Sequence, residues 1–75
     1  MNKEKLKEVA EAHGWTFTNP QPDGHYIRFT KGEKILDIWH TLTARFIPHH
    51  NIPWGKAVYY RDNSEEKIEE LLRTL

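Results

Sequence analysis

Histidine is the residue type in this sequence best suited to chemistry near neutral pH. The chain contains five histidines and no cysteine. His49 and His50 are adjacent, and adjacent side chains rarely both reach one metal ion. No His-x-His or HExxH spacing accompanies them, although such spacings are what place two imidazoles on one ion. The sequence therefore predicts solvated loop histidines, with no metal site and no cofactor.

His25 stands at the start of a predicted strand, where an imidazole could act as a general acid or base in RNA cleavage. A catalytic histidine needs an orienting partner, and the sequence identifies none. Ser64 is the only serine, and it lies where a helix cap is expected rather than beside a base. We therefore expect no catalytic residue and favour a non-enzymatic protein.

Length and composition indicate a single domain spanning residues 1–75. With 37% hydrophobic residues and a formal net charge of zero, the chain has a thin core and no overall nucleic-acid signature. The lack of cysteine fits a reducing compartment. No apolar run approaches the roughly 20 residues of a membrane span. These features favour a cytoplasmic protein.

The charges are unevenly distributed along the chain. Residues 25–61 carry six Lys/Arg against two acids, whereas residues 62–75 carry five acids against two Lys/Arg. The acidic part falls on a predicted helix, where a solvated face is the simplest interpretation and mimicry of nucleic-acid phosphates is an alternative. The basic residues of the middle segment are Arg28, Lys31, Lys34, Arg45, Lys56 and Arg61.

Two amphipathic helices are predicted, one near each end of the chain. Residues 3–13 place apolar side chains at helical spacing, and Gly14 follows where a left-handed residue commonly ends a helix. The second helix begins after Asn63 or Ser64, either of which can cap it. Its apolar stripe consists of Ile68, Leu71, Leu72 and Leu75.

Between the helices, alternating side chains and turn residues predict an antiparallel sheet of three to five strands. Two prolines exclude a central strand from residues 48–55, so the stretch 43–55 is predicted to contain a functional loop. Two amphipathic helices need one sheet face to cover. The fold class is therefore α+β, with both helices on one face. The predicted strands cover residues 15–18, 25–30, 34–41, 44–47 and 56–61.

If both helices cover one face of the sheet, the opposite face is free for a partner. Strand alternation places Tyr26 and Arg28 on that free face, and the polar residues alternating with Trp39 place this ring there too. Either Tyr59 or Tyr60 must also face outward. The binding residues selected from this face and from the 43–55 loop are Tyr26, Arg28, Trp39, Arg45, Trp54 and Tyr60.

Aromatic and arginine side chains together are typical of binding hot spots. Three interpretations stay open at this stage. The aromatic rings could belong to the core, the face could bind a protein (a second copy of the chain included), or the rings could stack on nucleic-acid bases while arginines contact phosphates. We favour a protein partner, with nucleic-acid binding as the alternative and RNA cleavage through His25 in third place.

The C-terminal half contains the sequence LDIWHT at 36–41, a threonine at 43, and GKAVYYR at 55–61 before a helix. In these features residues 35–75 resemble small uncharacterised proteins of bacteriophages and prophages. The resemblance implies a mobile-element origin. Small phage proteins of this size are often inhibitors that bind a host or defence protein, which implies action in the host-cell cytoplasm.

A second resemblance covers residues 6–30. The helical segment ending at Trp15, followed by Gly24-His25-Tyr26-Ile27, is similar to HicA-type toxins. That resemblance implies a double-stranded-RNA-binding-like α-β-β-β-α fold and RNA cleavage by a histidine. The family's catalytic histidine follows Gly-Ser, whereas His25 follows Gly24 directly.

Overall fold

The structure is a computed structural model that describes residues 3–18, 26–49, 56–61 and 64–75. Its strands form one five-stranded sheet in the order β1-β2-β3-β4-β5, with every neighbouring pair antiparallel. The predicted α+β fold is confirmed. The elements are α1 (Lys3–Ala12), β1 (Thr16–Thr18), β2 (Tyr26–Lys31), β3 (Lys34–Trp39), β4 (Ala44–Ile47), β5 (Val58–Tyr60) and α2 (Glu65–Thr74).

Both helices cover the same face of the sheet, here called the inner face. Their apolar stripes and the inward-pointing residues of the strands form one buried cluster. Because successive side chains of a strand point to opposite faces, alternate residues of β2 and β3 are directed into this core. The core contains Leu6 and Ala10 of α1, Ile68, Leu71 and Leu72 of α2, and Trp15, Ile27, Phe29, Leu36, Ile38 and Ala44.

Two side chains tie the C-terminal end of α2 to the rest of the domain. The indole Nε1 of buried Trp15 donates a hydrogen bond of 2.8 Å to the carbonyl oxygen of Leu72. Lys34 Nζ donates one of 2.7 Å to the carbonyl oxygen of Leu75. The last carbonyls of a helix lack intrahelical partners, so these donors satisfy them and fix the helix end.

Local signals in the sequence explain where the elements begin and end. Gly14, with φ +88°, follows α1, and Gly32, with φ +60°, makes the turn between β2 and β3. Ser64 caps α2, because its hydroxyl accepts a hydrogen bond of 3.2 Å from the backbone N–H of Lys67. Helix α1 therefore ends one residue before its predicted end at residue 13. Helix α2 begins directly after Ser64, one of its two predicted caps.

The predicted strand 34–41 ends earlier, at Trp39. Leu42 adopts φ +65°, and its N–H donates to the Trp39 carbonyl oxygen at 2.8 Å, while the Trp39 N–H donates to the Thr43 carbonyl oxygen at 2.9 Å. A tight reversal therefore replaces the last residues of the strand. Leu42 still packs against the core from this turn.

The last strand is also shorter than predicted, since β5 covers Val58–Tyr60 rather than 56–61. His25, Trp54 and residues 50–55 of the predicted 43–55 loop lie outside the described residues. Within the described ranges, no helix combines the length and the apolar character needed to cross a membrane.

Candidate binding face

The face of the sheet opposite the helices, here called the outer face, is defined by Tyr26, Arg28, Asp37, Trp39, Arg45 and Tyr59. Strand register aligns four of these residues in one row across β2, β3, β4 and β5. Arg28 lies opposite Asp37, Asp37 opposite Arg45, and Arg45 opposite Tyr59. Directly opposed residues have side chains close enough to interact, so the register itself assembles the centre of the face.

Asp37 is the centre of this row, and it is fully buried although it lies on the outer face. Its Oδ1 accepts a hydrogen bond of 2.7 Å from Arg28 Nε, and its Oδ2 accepts one of 3.2 Å from the same guanidinium. Arg45 adds a third hydrogen bond of 2.7 Å to Oδ2. One carboxylate thus holds two guanidinium groups in fixed positions.

The ion-pair cluster of Asp37, Arg28 and Arg45 carries more positive than negative charge. Two guanidinium charges meet the single carboxylate of Asp37, so the three side chains together carry one net positive charge. Hydrogen bonding to Asp37 raises the pKa of Arg28 above its ordinary value, and this outweighs the opposing effect of partial burial. Arg28 is therefore cationic at neutral pH.

Aromatic rings flank this cluster. Tyr26 and Trp39, paired across β2 and β3, stack with ring centroids 5.1 Å apart and an interplanar angle of 25°. The guanidinium carbon of Arg45 lies 5.0 Å from the Trp39 ring centroid, and that of Arg28 lies 6.0 Å from the Tyr26 centroid. These are cation–π distances, so rings and arginines hold one another in place.

A depression of about 250 Å³ lies beside Trp39, between the β3–β4 turn and β5. The hydroxyls of Thr41 and Thr43 in its lining are 3.5 Å apart. Arg61, another lining residue, has its guanidinium carbon 5.9 Å from the ring centroid of Tyr59. The depression is lined by Trp39, Thr41, Thr43, Tyr59 and Arg61.

Four of the six selected residues come together on the outer face. Tyr26, Arg28, Trp39 and Arg45 form one connected group through stacking and the hydrogen bonds to Asp37. They are half-buried rather than part of the core. The interpretation of these aromatic rings as core residues is therefore wrong for Tyr26 and Trp39.

The choice of Tyr60 is corrected by the register. Tyr60 pairs with Ala44, an inner-face residue, and packs against the core. Tyr59 pairs with Arg45 instead and is 50% exposed. The outward tyrosine of β5 is therefore Tyr59. Trp54, the sixth selected residue, lies outside the described residues.

From the sequence alone, Asp37 was not identified as the residue that holds Arg28 and Arg45 in place. Thr41, Thr43 and Arg61 were likewise not identified as residues that line a depression. The signal for Asp37 was present, since it is a lone carboxylate within the most apolar strand. The threonines had no signal, because their approach depends on the turn at Leu42.

Among the described histidines, His49 has an acidic partner. His49 Nε2 lies 2.6 Å from Glu33 Oε2, next to the β2–β3 turn. In the part of the chain that the structure describes, no three His, Asp or Glu side chains gather as metal ligands. His25 lies outside that part, so RNA cleavage through it stays a prediction.

Comparison with models of protein families, with curated proteins and with solved structures found no match for this chain.

Proposed function

We propose that this chain is a non-enzymatic binding protein whose outer face docks on a protein partner. The observation that carries the proposal is the connected group of half-buried rings and arginines organised around Asp37. Trp, Tyr and Arg are the residue types that dominate binding energies at protein interfaces. In this chain they lie side by side on a sheet face that neither helix covers.

Rigidity supports this role. Binding costs free energy whenever mobile side chains become ordered, on the order of 0.5–1.5 kcal/mol for each rotamer-rich side chain. Arg28 and Arg45 are already held by hydrogen bonds to Asp37, and Trp39 is held between Tyr26 and Arg45. A partner would therefore meet a face whose largest side chains are ordered before contact.

The balance of charge favours a protein over a polyanion. Among the described residues of the face and its depression, three arginines oppose Asp37, which leaves a net charge of +2. Nucleic-acid affinity comes largely from cations that displace counterions from several phosphates. Two of the three arginines are already engaged with a buried carboxylate, so the face offers little electrostatic attraction for a nucleic-acid backbone.

The resemblance of residues 35–75 to small phage proteins indicates which class of protein the partner belongs to. If the chain comes from a mobile element, its partner is a host or defence protein in the cytoplasm of the host cell, and binding would inhibit that protein. The proposal applies to the outer face alone.

Site-specific photocrosslinking tests the proposal. A benzoyl-phenylalanine at position 59 would project from the outer face, whereas one at position 66 would project from the exposed side of α2. We expect protein adducts from position 59 in the producing cells and none of the same mass from position 66. Excess unlabelled wild-type protein should compete the adduct away, and excess Trp39→Ala should not.

Two results would contradict the proposal. One is an adduct whose yield falls as much with excess Trp39→Ala protein as with excess wild-type protein, since such an adduct would form through a surface other than the outer face. The other is an adduct destroyed by nuclease, which would identify a nucleic acid instead.

Nucleic-acid binding is the second candidate function, and one observation favours it. The rings of Trp39 and Tyr59 line the same depression beside the cation of Arg61. Bases stack on aromatic rings next to arginines in single-strand-binding proteins. Binding of labelled RNA or DNA to the wild type, and its loss in Trp39→Ala, would support this candidate.

A further inference from the structure

We propose that the depression beside Trp39 is a subsite for an Asp or Glu side chain of the partner protein. This inference rests on the proposed function and names the chemistry that the partner must present. The depression lies at the end of the outer face, between the β3–β4 turn and the edge strand β5. It adjoins the cluster in which Asp37 engages two arginines, because its lining residue Trp39 contacts Arg45, but neither Arg28 nor Arg45 lines it.

The lining groups are suited to a carboxylate. Arg61 supplies a permanent cation with several N–H donors, which matches carboxylate geometry better than any other side chain does. Thr41 and Thr43 each supply a hydroxyl, 3.5 Å apart, that can donate to an anionic oxygen. The five lining residues include no acid. A carboxylate entering here would therefore meet hydroxyl donors and one positive charge, with no acid among the described lining residues.

The aromatic walls strengthen this attraction. Trp39 and Tyr59 line the depression from two strands, and Tyr59 lies under the guanidinium of Arg61. A partner docked over these rings would exclude water from the depression, which lowers the effective dielectric constant around a charge pair and raises the energy of the pair. The same rings contact the methylene groups of an entering Asp or Glu side chain.

The size of the depression decides between a side chain and a larger ligand. Pockets for small molecules and cofactors usually enclose roughly 300–1,000 Å³. The depression has about 250 Å³ and is open to solvent, so it suits one side chain projecting from a partner surface. Its single cation likewise matches one carboxylate rather than a run of phosphates.

NMR titration of the full chain tests the inference with three probes. The first is a capped hexapeptide of alternating Glu and Leu, the second replaces every Glu with Gln, and the third is a single-stranded thymidine decanucleotide. We expect the Glu peptide at millimolar concentration to shift the Trp39 indole and the Thr41 and Thr43 amide resonances. The Gln peptide should shift them much less.

The matched variants are Arg61→Gln and Arg73→Gln. Both arginines are exposed, and Arg73 lies on α2, away from the outer face. Loss of a charge-assisted hydrogen bond at Arg61 should weaken binding of the Glu peptide about tenfold. Arg73→Gln should bind as the wild type does. Unchanged dispersion of the amide spectrum shows that each variant is folded.

The other outcomes overturn the inference in distinguishable ways. Equal shifts from the Glu and Gln peptides would remove the preference for an acid, while the proposed protein-binding function would stand. Shifts from the decanucleotide but from neither peptide would overturn both proposals. If no probe shifts these three resonances, the subsite is wrong, and crosslinking from position 59 decides the proposed function independently.

Discussion

Asp37 is the residue on which the geometry of the outer face depends. It is fully buried, and it accepts hydrogen bonds from both Arg28 and Arg45. Removing one member of such a cluster leaves the opposite charges without a partner, and for wholly buried pairs this costs about 3–5 kcal/mol. Arg28 and Arg45 retain some exposure, so water can recover part of this loss.

We therefore expect Asp37→Ala to lower the free energy of unfolding by about 2–3 kcal/mol, measured by urea denaturation. Replacing Asp37, Arg28 and Arg45 together with Leu, Met and Met is the control, because it leaves no charge behind. The triple variant should be more stable than Asp37→Ala. If Asp37→Ala unfolds at the same urea concentration as the wild type, the carboxylate does not organise the face.

Trp39 and Trp15 provide a matched comparison between the outer face and the core. Trp15 is 3% exposed and donates to the Leu72 carbonyl oxygen, so Trp15→Ala should cost about 3–5 kcal/mol of stability. Trp39 is only half-buried, so Trp39→Ala loses stacking, a cation–π contact and part of a ring's burial, a smaller loss of about 1–3 kcal/mol. Unfolding curves of the two variants measure both values. Equal losses would place Trp39 in the core.

At the scale of elements, the cap of α2 is the most direct test of how the chain encodes its helices. Ser64 has extended backbone angles and accepts from the Lys67 N–H. Ser64→Ala removes this acceptor and should lower the free energy of unfolding by about 1 kcal/mol. Ser64→Asp, which keeps an acceptor, should retain wild-type stability. If both variants unfold like the wild type, the cap makes no contribution.

Elements with a regular hydrophobic period were predictable from the sequence. The helical spacing of Ile68, Leu71 and Leu72 placed α2, and the alternation along β2 placed Tyr26 and Arg28 on the outer face. These predictions succeed because a one-residue shift would bury polar side chains and expose apolar ones.

The remaining features depend on information that a local pattern does not contain. Tyr59 and Tyr60 are chemically alike, so only the pairing of β5 with β4 decides which one faces outward. The early end of β3 follows from a left-handed Leu42, a conformation for which glycine or asparagine is the usual signal. The depression beside Trp39 exists only because that turn brings Thr41 and Thr43 together.

The whole molecule has no net charge because a basic middle segment and an acidic C-terminal segment cancel. The sheet separates part of this charge in space, since Arg28 and Arg45 lie on the outer face while α2 covers the inner face. Affinity for a nucleic acid bound at the outer face would then come from the few cations of that face. The salt dependence of binding measures their number, because each phosphate contact releases counterions.

With at most three arginines on phosphates, the slope of log affinity against log salt should be no steeper than about −2 for a single strand. The affinity would then fall only about twentyfold between about 50 and 200 mM salt. Fluorescence anisotropy with labelled single- and double-stranded RNA and DNA gives this slope, and Arg73→Gln serves as the control for a charge away from the face. We expect weak binding that disappears at moderate salt. A slope of about −4 or steeper would require cations beyond the outer face, and it would favour a nucleic acid over a protein as the partner.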